Sequence, residues 1–384
     1  MMEAKKETSI APEREAKSSS TVSTAIDMNE EFDAAKMAGK TILITGGASG
    51  FGAAFAREWA SHGANIIIGD INDANGEKLV AELRQSTGSE HHHYQNCDVT
   101  DWESQVKLFR TAAQLSPTGG IDAVVPNAGI GDDPDGGTTP FNYFENPSDM
   151  DRDHPPVPRL KVMDVNLIGV MYTIHLALFW LCQNDRYLKP DQIEHNGETG
   201  QKVFRDRSIL LIGSIASVIP LVGSPQYTAS KHAITGLFRS LRGTAFRKGI
   251  RINMLCPYFV DTGIVSSFVL YFLAGGGLGE MSDVVKAGSR FMADRKVFGR
   301  AVIIGPKMKV EDLPDGEIRL VEIPQEGDEA ARGIWEAYLH DYEAVEGMVY
   351  RYSRLLVGYA KLKGWYGWVK DLLWISFYRN SEKK

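Results

Sequence analysis

Cysteine is scarce: Cys97, Cys182 and Cys256 are the only three, far apart and without paired spacing. That excludes a disulfide framework and a cysteine-rich metal site, and fits a reducing compartment. Excess positive charge is also missing, with 42 Lys and Arg against 49 Asp and Glu and a formal net charge of −7. Such a balance offers a nucleic-acid backbone nothing to hold, so no nucleic-acid partner is expected. A phosphorylated small molecule would have to be gripped locally, by backbone amides at a helix N-terminus. No apolar core of signal-peptide type is present near residue 1, and no later run is read as reaching the ~18 to 20 apolar residues of a membrane span. The expected setting is cytoplasmic, at most peripheral to a membrane. Large apolar residues are few in residues 1–36, which are rich in Lys, Glu, Ser, Thr and Ala. They are expected to form a disordered tail. No internal repeat is visible.

What remains is ordinary globular material. The 384 residues, 43% hydrophobic and 24% charged, suffice for one large α/β domain with additions or two modest ones. From Gly39 onward, short β-branched runs alternate with helix-like stretches. Thr41 to Thr45, Asn65 to Asp70, a run ending at Cys97-Asp98, Ile121 to Val125, Ser208 to Ile212, Arg251 to Cys256 and Ala301 to Ile304 read as strands. Helices are expected at Ala53 to His62, Asn75 to Gln85, Glu103 to Leu115, about 160–182 and about 227–247. This alternation predicts an α/β fold, a doubly wound, parallel, seven-stranded Rossmann sheet covered on both faces. Its bounds are taken as 37–310. Residues 131–159 and 183–207 read as surface insertions, and residues 311–384 as a helical, aromatic-rich C-terminal extension, with Ala330 to Ala360 mostly helix.

Chemistry concentrates at strand ends. Thr45-Gly46-Gly47-Ala48-Ser49-Gly50-Phe51-Gly52 joins the first strand to the first helix. Gly46 permits a tight turn, Gly50 lets backbone approach a pyrophosphate, and Gly52 allows close helix–sheet packing. A glycine-rich turn without a ligand would look similar, but Asp70 ends the next strand, where a carboxylate can accept both hydroxyls of an adenosine ribose. A 2′-phosphate would meet like charge there, so NAD is favoured over NADP. Tyr227 and Lys231, in Tyr227-Thr228-Ala229-Ser230-Lys231, lie one helical turn apart on one face. Ser214 stands at a strand end upstream. A carbinol that loses hydride must also lose a proton, and a phenol is a poor base near neutrality unless an adjacent ammonium stabilises its anion. Without the glycine motif, a helix-start tyrosine beside an exposed lysine would be the better reading.

Together these motifs resemble the short-chain dehydrogenase/reductase family over roughly residues 37–306. The family's glycine motif matches Gly46, Gly50 and Gly52, its Asn-Ala-Gly motif matches Asn127-Ala128-Gly129, and its catalytic asparagine matches Asn166. Its Ser, Tyr and Lys match Ser214, Tyr227 and Lys231. The resemblance implies a catalytic set of Asn166, Ser214, Tyr227 and Lys231, with Tyr227 as acid/base and Asn166 holding a water in a proton relay from Lys231. It implies cofactor contacts from Gly46, Ser49, Gly50, Phe51 and Gly52, from Asp70 and Ile71, and from Asp98 and Val99. Asn127, Ala128 and Gly129, then Tyr227 and Lys231, then Pro257, Val260 and Thr262 complete that set. Within the family the stretches Ser214 to Lys231 and Arg251 to Thr262 are similar to 15-hydroxyprostaglandin dehydrogenase-like members, which oxidise lipid alcohols with NAD. Two departures stand out: Tyr258 replaces a glycine, which threatens to crowd the nicotinamide end, and Pro126 replaces an amide-bearing residue.

The remaining signals are weaker. His91-His92-His93 would alternate faces on a strand and cannot converge on a metal, so no metal is expected. Gly263 to Leu273 could cover a hydrophobic substrate or simply pack. Trp365, Trp368, Leu372 and Ile375 fall on one helical face. That stripe must cover the protein, a partner subunit or a lipid surface, so segment 361–384 is a candidate for peripheral membrane contact. The leading reading is an NAD-linked dehydrogenase of a hydrophobic secondary alcohol or ketone, assembled as a homodimer or homotetramer. A ketoreductase of a polyketide-like intermediate and a non-catalytic dinucleotide-binding interaction protein are the alternatives.

Overall fold

Strands with no polar face are suited to burial on both sides, and central strands such as Ser208–Ile212 are buried along their whole length. A computed structural model describes residues 22–28, 30–132, 144–145, 151–184, 205–262, 277–312, 318–322, 331–337, 365–366 and 369. Strands β1 (Thr41–Thr45), β2 (Asn65–Asp70), β3 (His93–Asn96), β4 (Ala123–Pro126), β5 (Ser208–Ile212), β6 (Arg251–Pro257) and β7 (Ala301–Asp312) pair in parallel in the order β3-β2-β1-β4-β5-β6-β7. Helices α1 (Gly50–Ser61), α2 (Asp73–Thr87), α3 (Trp102–Leu115), α4 (Val170–Trp180), α5 (Pro225–Ala245) and α6 (Met281–Ala293) flank them. Strand order reverses between β1 and β4, and this switch point opens a crevice beyond the carboxyl ends of the strands.

The doubly wound sheet is therefore as expected, with two strands added. β8 (Ile318–Glu322) and β9 (Arg332–Ala337) both run antiparallel to β7. The expected helix from Ala330 is thus corrected: its described start is strand. An exposed β7 edge carries unpaired backbone groups that a strand can satisfy, and the ring of Trp335 sits where a side chain on Gly305 would go, 3.0 Å from that glycine's Cβ position. Trp365, Tyr366 and Val369 are helical; Trp368, Leu372 and Ile375 of the aromatic stripe lie outside the described residues.

The reading of residues 1–36 as a disordered tail is also corrected, for residues 22–36. Val22 and Met28 are buried. Ser23 N–H donates to the Phe298 carbonyl at 2.9 Å, and Ile26 N–H donates to Glu336 at 3.1 Å. Arg300 pairs with Glu336 at 2.8 Å and Arg290 with Glu30 at 2.9 Å. A few apolar anchors and long-range ion pairs suffice where composition alone argues against order. One compact unit runs from Val22 to Ala337, passing both borders expected at 37 and 310.

The end of the 183–207 insertion is not surface. Asp206 is buried and bridges Lys40 at 2.6 Å and Arg251 at 2.8 Å. Burial alone would raise its carboxyl, but Arg251 and Lys40 hold it well below the usual carboxylate range. Residues 185–204 and most of 133–150 lie outside the described residues.

One helical stretch among the described residues, Lys161–Gln183, is long and apolar enough to cross a membrane by length and composition, which corrects the reading that no run reaches that size. It packs on α3 and β4 and buries Val162, Val170, Ile174, Ala177 and Leu181 on that side.

Candidate active site

At the mouth of the crevice, side chains hold backbone in place. Gly46 adopts φ +61 and Gly50 φ +51, a region open to glycine and costly for other residues. A Cβ on Gly46 would lie 2.6 Å from the Ala128 Cα, and one on Gly52 would lie 2.4 Å from the Gly46 carbonyl oxygen. Asn127 locks the two motifs together: its Nδ2 donates to the Gly46 carbonyl at 2.7 Å and the Thr45 carbonyl at 3.1 Å. Its own N–H donates to Thr45 Oγ1 at 3.1 Å. The fourth strand is thereby fastened to the glycine turn.

This turn fits a dinucleotide. Ser49 begins α1 without capping it through its side chain, so the first N–H groups of that helix have no cap and face where a pyrophosphate would satisfy them. The Thr262 Cβ lies 3.7 Å from the Cβ position of Gly50, beside the turn. Asp70 accepts from Ala48 N–H and from Asn72 N–H, each at 3.0 Å. It supports the glycine turn from the end of β2. Phe51 is half-buried against the core, and Ile71 is 70% exposed. The Asp98 carboxylate accepts from Thr100 at 2.9 Å and 2.8 Å, while Val99 is buried and packs against Gly169. Pro257 ends β6, and the Val260 side chain lies in the core. Tyr258 donates its N–H to the Ile304 carbonyl at 2.6 Å, and its ring meets Phe259 edge-on at 4.9 Å. Pro126 pairs beside Thr45 at the end of β4.

The four catalytic candidates come from three neighbouring elements. Asn166 is buried in a π turn, Asp164–Gly169, that precedes α4; such bulges are frequent at functional sites. Its Oδ1 accepts from Ile130 N–H at 2.8 Å and its Nδ2 donates to the Ile130 carbonyl at 2.9 Å. The amide is thus committed to clamping the loop after β4. Ser214 caps a short turn, Ile215–Ser217, accepting from Ala216 N–H at 3.2 Å. Ser217 Oγ in turn donates to the Lys231 carbonyl at 3.0 Å, which ties this turn to α5. Lys231 is buried, donates from Nζ to the Ile212 carbonyl at 3.0 Å, and lies 5.5 Å from the centre of the Tyr227 ring.

Some contributors were invisible to sequence reading. Asp132 stands in what looked like a surface insertion, yet its carboxylate accepts from Tyr227 N–H at 3.1 Å. Burial pushes that carboxyl up, against hydrogen bonds from Tyr227, Ser224 and Gln226. Ile130 and Ser230 act through backbone and hydroxyl contacts to Asn166 and Tyr227. No local spacing marks any of them.

Other reactive groups are occupied elsewhere. Burial pushes the Cys256 thiol up to about 12 and the Cys97 thiol up to about 11, so neither is a ready nucleophile. His92 is buried, takes Ile66 N–H on Nδ1 at 3.3 Å and meets Thr87 Oγ1 through Nε2 at 3.0 Å. Among the described residues no group of His, Cys, Asp or Glu is arranged to hold a metal.

With this geometry in place, the family profile described as short chain dehydrogenase matches residues 40–186 and 205–269. The chain belongs to the short-chain dehydrogenase family. It is 34% identical to 5'-hydroxyaverantin dehydrogenase of Dothistroma septosporum over 75% of this chain and 92% of that protein. It is 28% identical to the NAD-dependent 15-hydroxyprostaglandin dehydrogenase of Mus musculus over 66% and 79% of the two chains. The fold is shared with a 3-ketoacyl-(acyl-carrier-protein) reductase of Brucella melitensis solved with NADH, at TM-score 0.54 and 21% identity, covering 70% of this chain and 98% of that one. The chain is an oxidoreductase of this family, acting on alcohols or ketones with a nicotinamide cofactor. The break in the match, residues 187–204, falls within the polar insertion.

Proposed function

We propose that this dehydrogenase uses NAD(H) to interconvert a hydrophobic secondary alcohol and its ketone, with Tyr227 moving the proton. The observation that carries this reading is the Lys231 ammonium, buried, anchored on the Ile212 carbonyl and facing the Tyr227 ring. A cation held beside the ring suits a tyrosine that exchanges a proton with a carbinol. Ser214 already accepts from Ala216 N–H, which leaves its hydroxyl proton to offer to the substrate oxygen. Asn166 keeps the loop after β4 against α5, and Lys231 is also suited to a ribose hydroxyl. Bound NAD supplies the hydride acceptor. Between Ser214 and Tyr227, Val218, Ile219 and Val222 are exposed, Val222 fully so; an apolar rim beside a catalytic tyrosine suits a hydrophobic substrate.

Asp70 supports NAD over NADP, because its carboxylate stands where a 2′-phosphate would bring like charge; relatives described as NADP-dependent also occur. A homodimer or homotetramer would use the outer face of the helix at 161–183. Its exposed large apolar residues are Ile168, Met171 and Phe179. On the same helix Val170 and Ile174 are buried, and Leu167 and Leu178 are half-buried.

The test is a screen of secondary alcohols and ketones by nicotinamide absorbance, with Tyr227→Phe alongside. The variant should fold, bind NAD and lose at least ~100-fold in turnover, the low end of acid/base contributions. Wild-type turnover in the variant refutes the mechanism, and equal efficiency with NADP refutes the cofactor assignment.

A further inference from the structure

The start of α5 is supported from elsewhere in the chain. Ser224 stands at the N-cap position but makes no side-chain bond into its own helix. Pro225 has no N–H to satisfy, so the exposed donors are those of Gln226 and Tyr227. Asp132 meets both. Its two carboxylate oxygens lie 3.1 Å and 3.3 Å from Tyr227 N, and it takes further bonds from Gln226 N–H and the Ser224 side chain.

Asp132 is itself held from the other side. Two residues before it, Ile130 is clamped through N–H and carbonyl by the Asn166 amide. Asn166 Nδ2 also reaches Ser230 Oγ at 3.4 Å, and that hydroxyl donates to the Tyr227 carbonyl at 2.7 Å. Two polar strings therefore run from Asn166 to the backbone of Tyr227. One passes through Ile130 and Asp132 to its N–H, the other through Ser230 to its carbonyl.

We propose that Asp132 is a positioning residue for Tyr227, capping α5 from the loop after β4 so that the phenol is fixed at the level of its own peptide. The inference rests on the reading of Tyr227 as the acid/base. A carboxylate suits the task, because it accepts from two N–H groups at once and complements the positive end of the helix dipole. Without it the first turn frays and the phenol moves off its station, where a displacement of about 1 Å is costly to turnover.

The full-length protein tests this with Asp132→Ala and Asp132→Asn, read by steady-state kinetics, NAD affinity and hydrogen exchange across 224–231. Asp132→Ala should lower kcat about tenfold, a loss of orientation and not of chemistry, while KM and the NAD dissociation constant change less than about twofold. Exchange in 224–231 should speed up by about tenfold as the turn opens locally. Asp132→Asn keeps an oxygen acceptor and should restore kcat and protection to within about threefold of wild type. Wild-type kcat and exchange in Asp132→Ala overturn the proposal, as does a loss that Asn fails to rescue. If Asp132→Ala does not fold, the wild type still decides. The third N–H of a helix has no intrahelical acceptor, so a Tyr227 amide that exchanges as freely as an open loop refutes the cap. Exchange needs no substrate, so it stands apart from the Tyr227→Phe result, which tests the acid/base reading alone.

Discussion

Around the carboxyl ends of β1, β4 and β5, polar side chains are spent on nearby backbone: Asn127 on Thr45 and Gly46, Asn166 on Ile130, Lys231 on Ile212. At the β7 edge the polar groups pair with one another across the chain. Arg300 meets Glu336 and the Ser23 carbonyl, and Arg290 meets Glu30. The first arrangement builds a rigid cradle whose parts are short motifs at strand ends. The second closes an exposed edge by bringing residues 22–33 and β9 onto β7 and α6. The crevice lies within the family match, whereas residues 22–39 and everything beyond 269 lie outside it. The contrast suggests that the shared portion carries the chemistry and the flanks carry stability.

The sharpest way to break that division is Gly46→Val. Its Cβ would sit 2.6 Å from the Ala128 Cα at a positive φ, so the turn must shift and the cradle with it. Turnover should fall by more than about 100-fold, as expected when reacting groups are misplaced, and calorimetry should find no NAD binding. Full activity in this variant would mean that the turn is not the cofactor's seat.

Arg300→Ala probes the other side. Arg300 and Glu336 are nearly buried, and removing one partner of a buried pair costs on the order of 3 kcal/mol because the other charge is stranded. The melting temperature should drop by several degrees while kcat/KM stays within about twofold of wild type, a change consistent with an edge remote from the chemistry. An activity loss as large as that of Gly46→Val would erase the distinction between the two regions.

A smaller effect should come from His92, on the face between α2 and β3. Burial, with help from His93 and Arg84, lowers its pKa to about 4. An unfolded histidine titrates near 6.5. As pH falls from about 6.5 toward 4, the unfolded chain takes up a proton that the folded chain refuses, so stability is lost over that window. Thermal melts of His92→Gln should show a flatter pH slope there than wild type. Parallel slopes would place the acid sensitivity elsewhere.

The sequence by itself determined the seven parallel strands and the glycine turn, and it offered Asp70, Ser214, Tyr227 and Lys231 as candidates, while Asn166 came only from the family resemblance. The strands, the glycine turn and the Tyr227–Lys231 pair depend on periodicity or spacing within about one turn or one strand, and such local constraints are written in neighbouring residues. The tertiary structure alone decided that Val22 to Met37 pack, that Arg332–Ala337 is a strand, that Asp206 is buried between Lys40 and Arg251, and that Asp132 caps α5. In these cases the partner is distant in the chain: 95 residues separate Asp132 from Tyr227 and 310 separate Ile26 from Glu336. An acidic residue in a polar loop looks the same in sequence whether solvent or a buried N–H receives it. Only the closing of the fold around it selects one partner, because a donor or acceptor left unmatched inside a protein is costly.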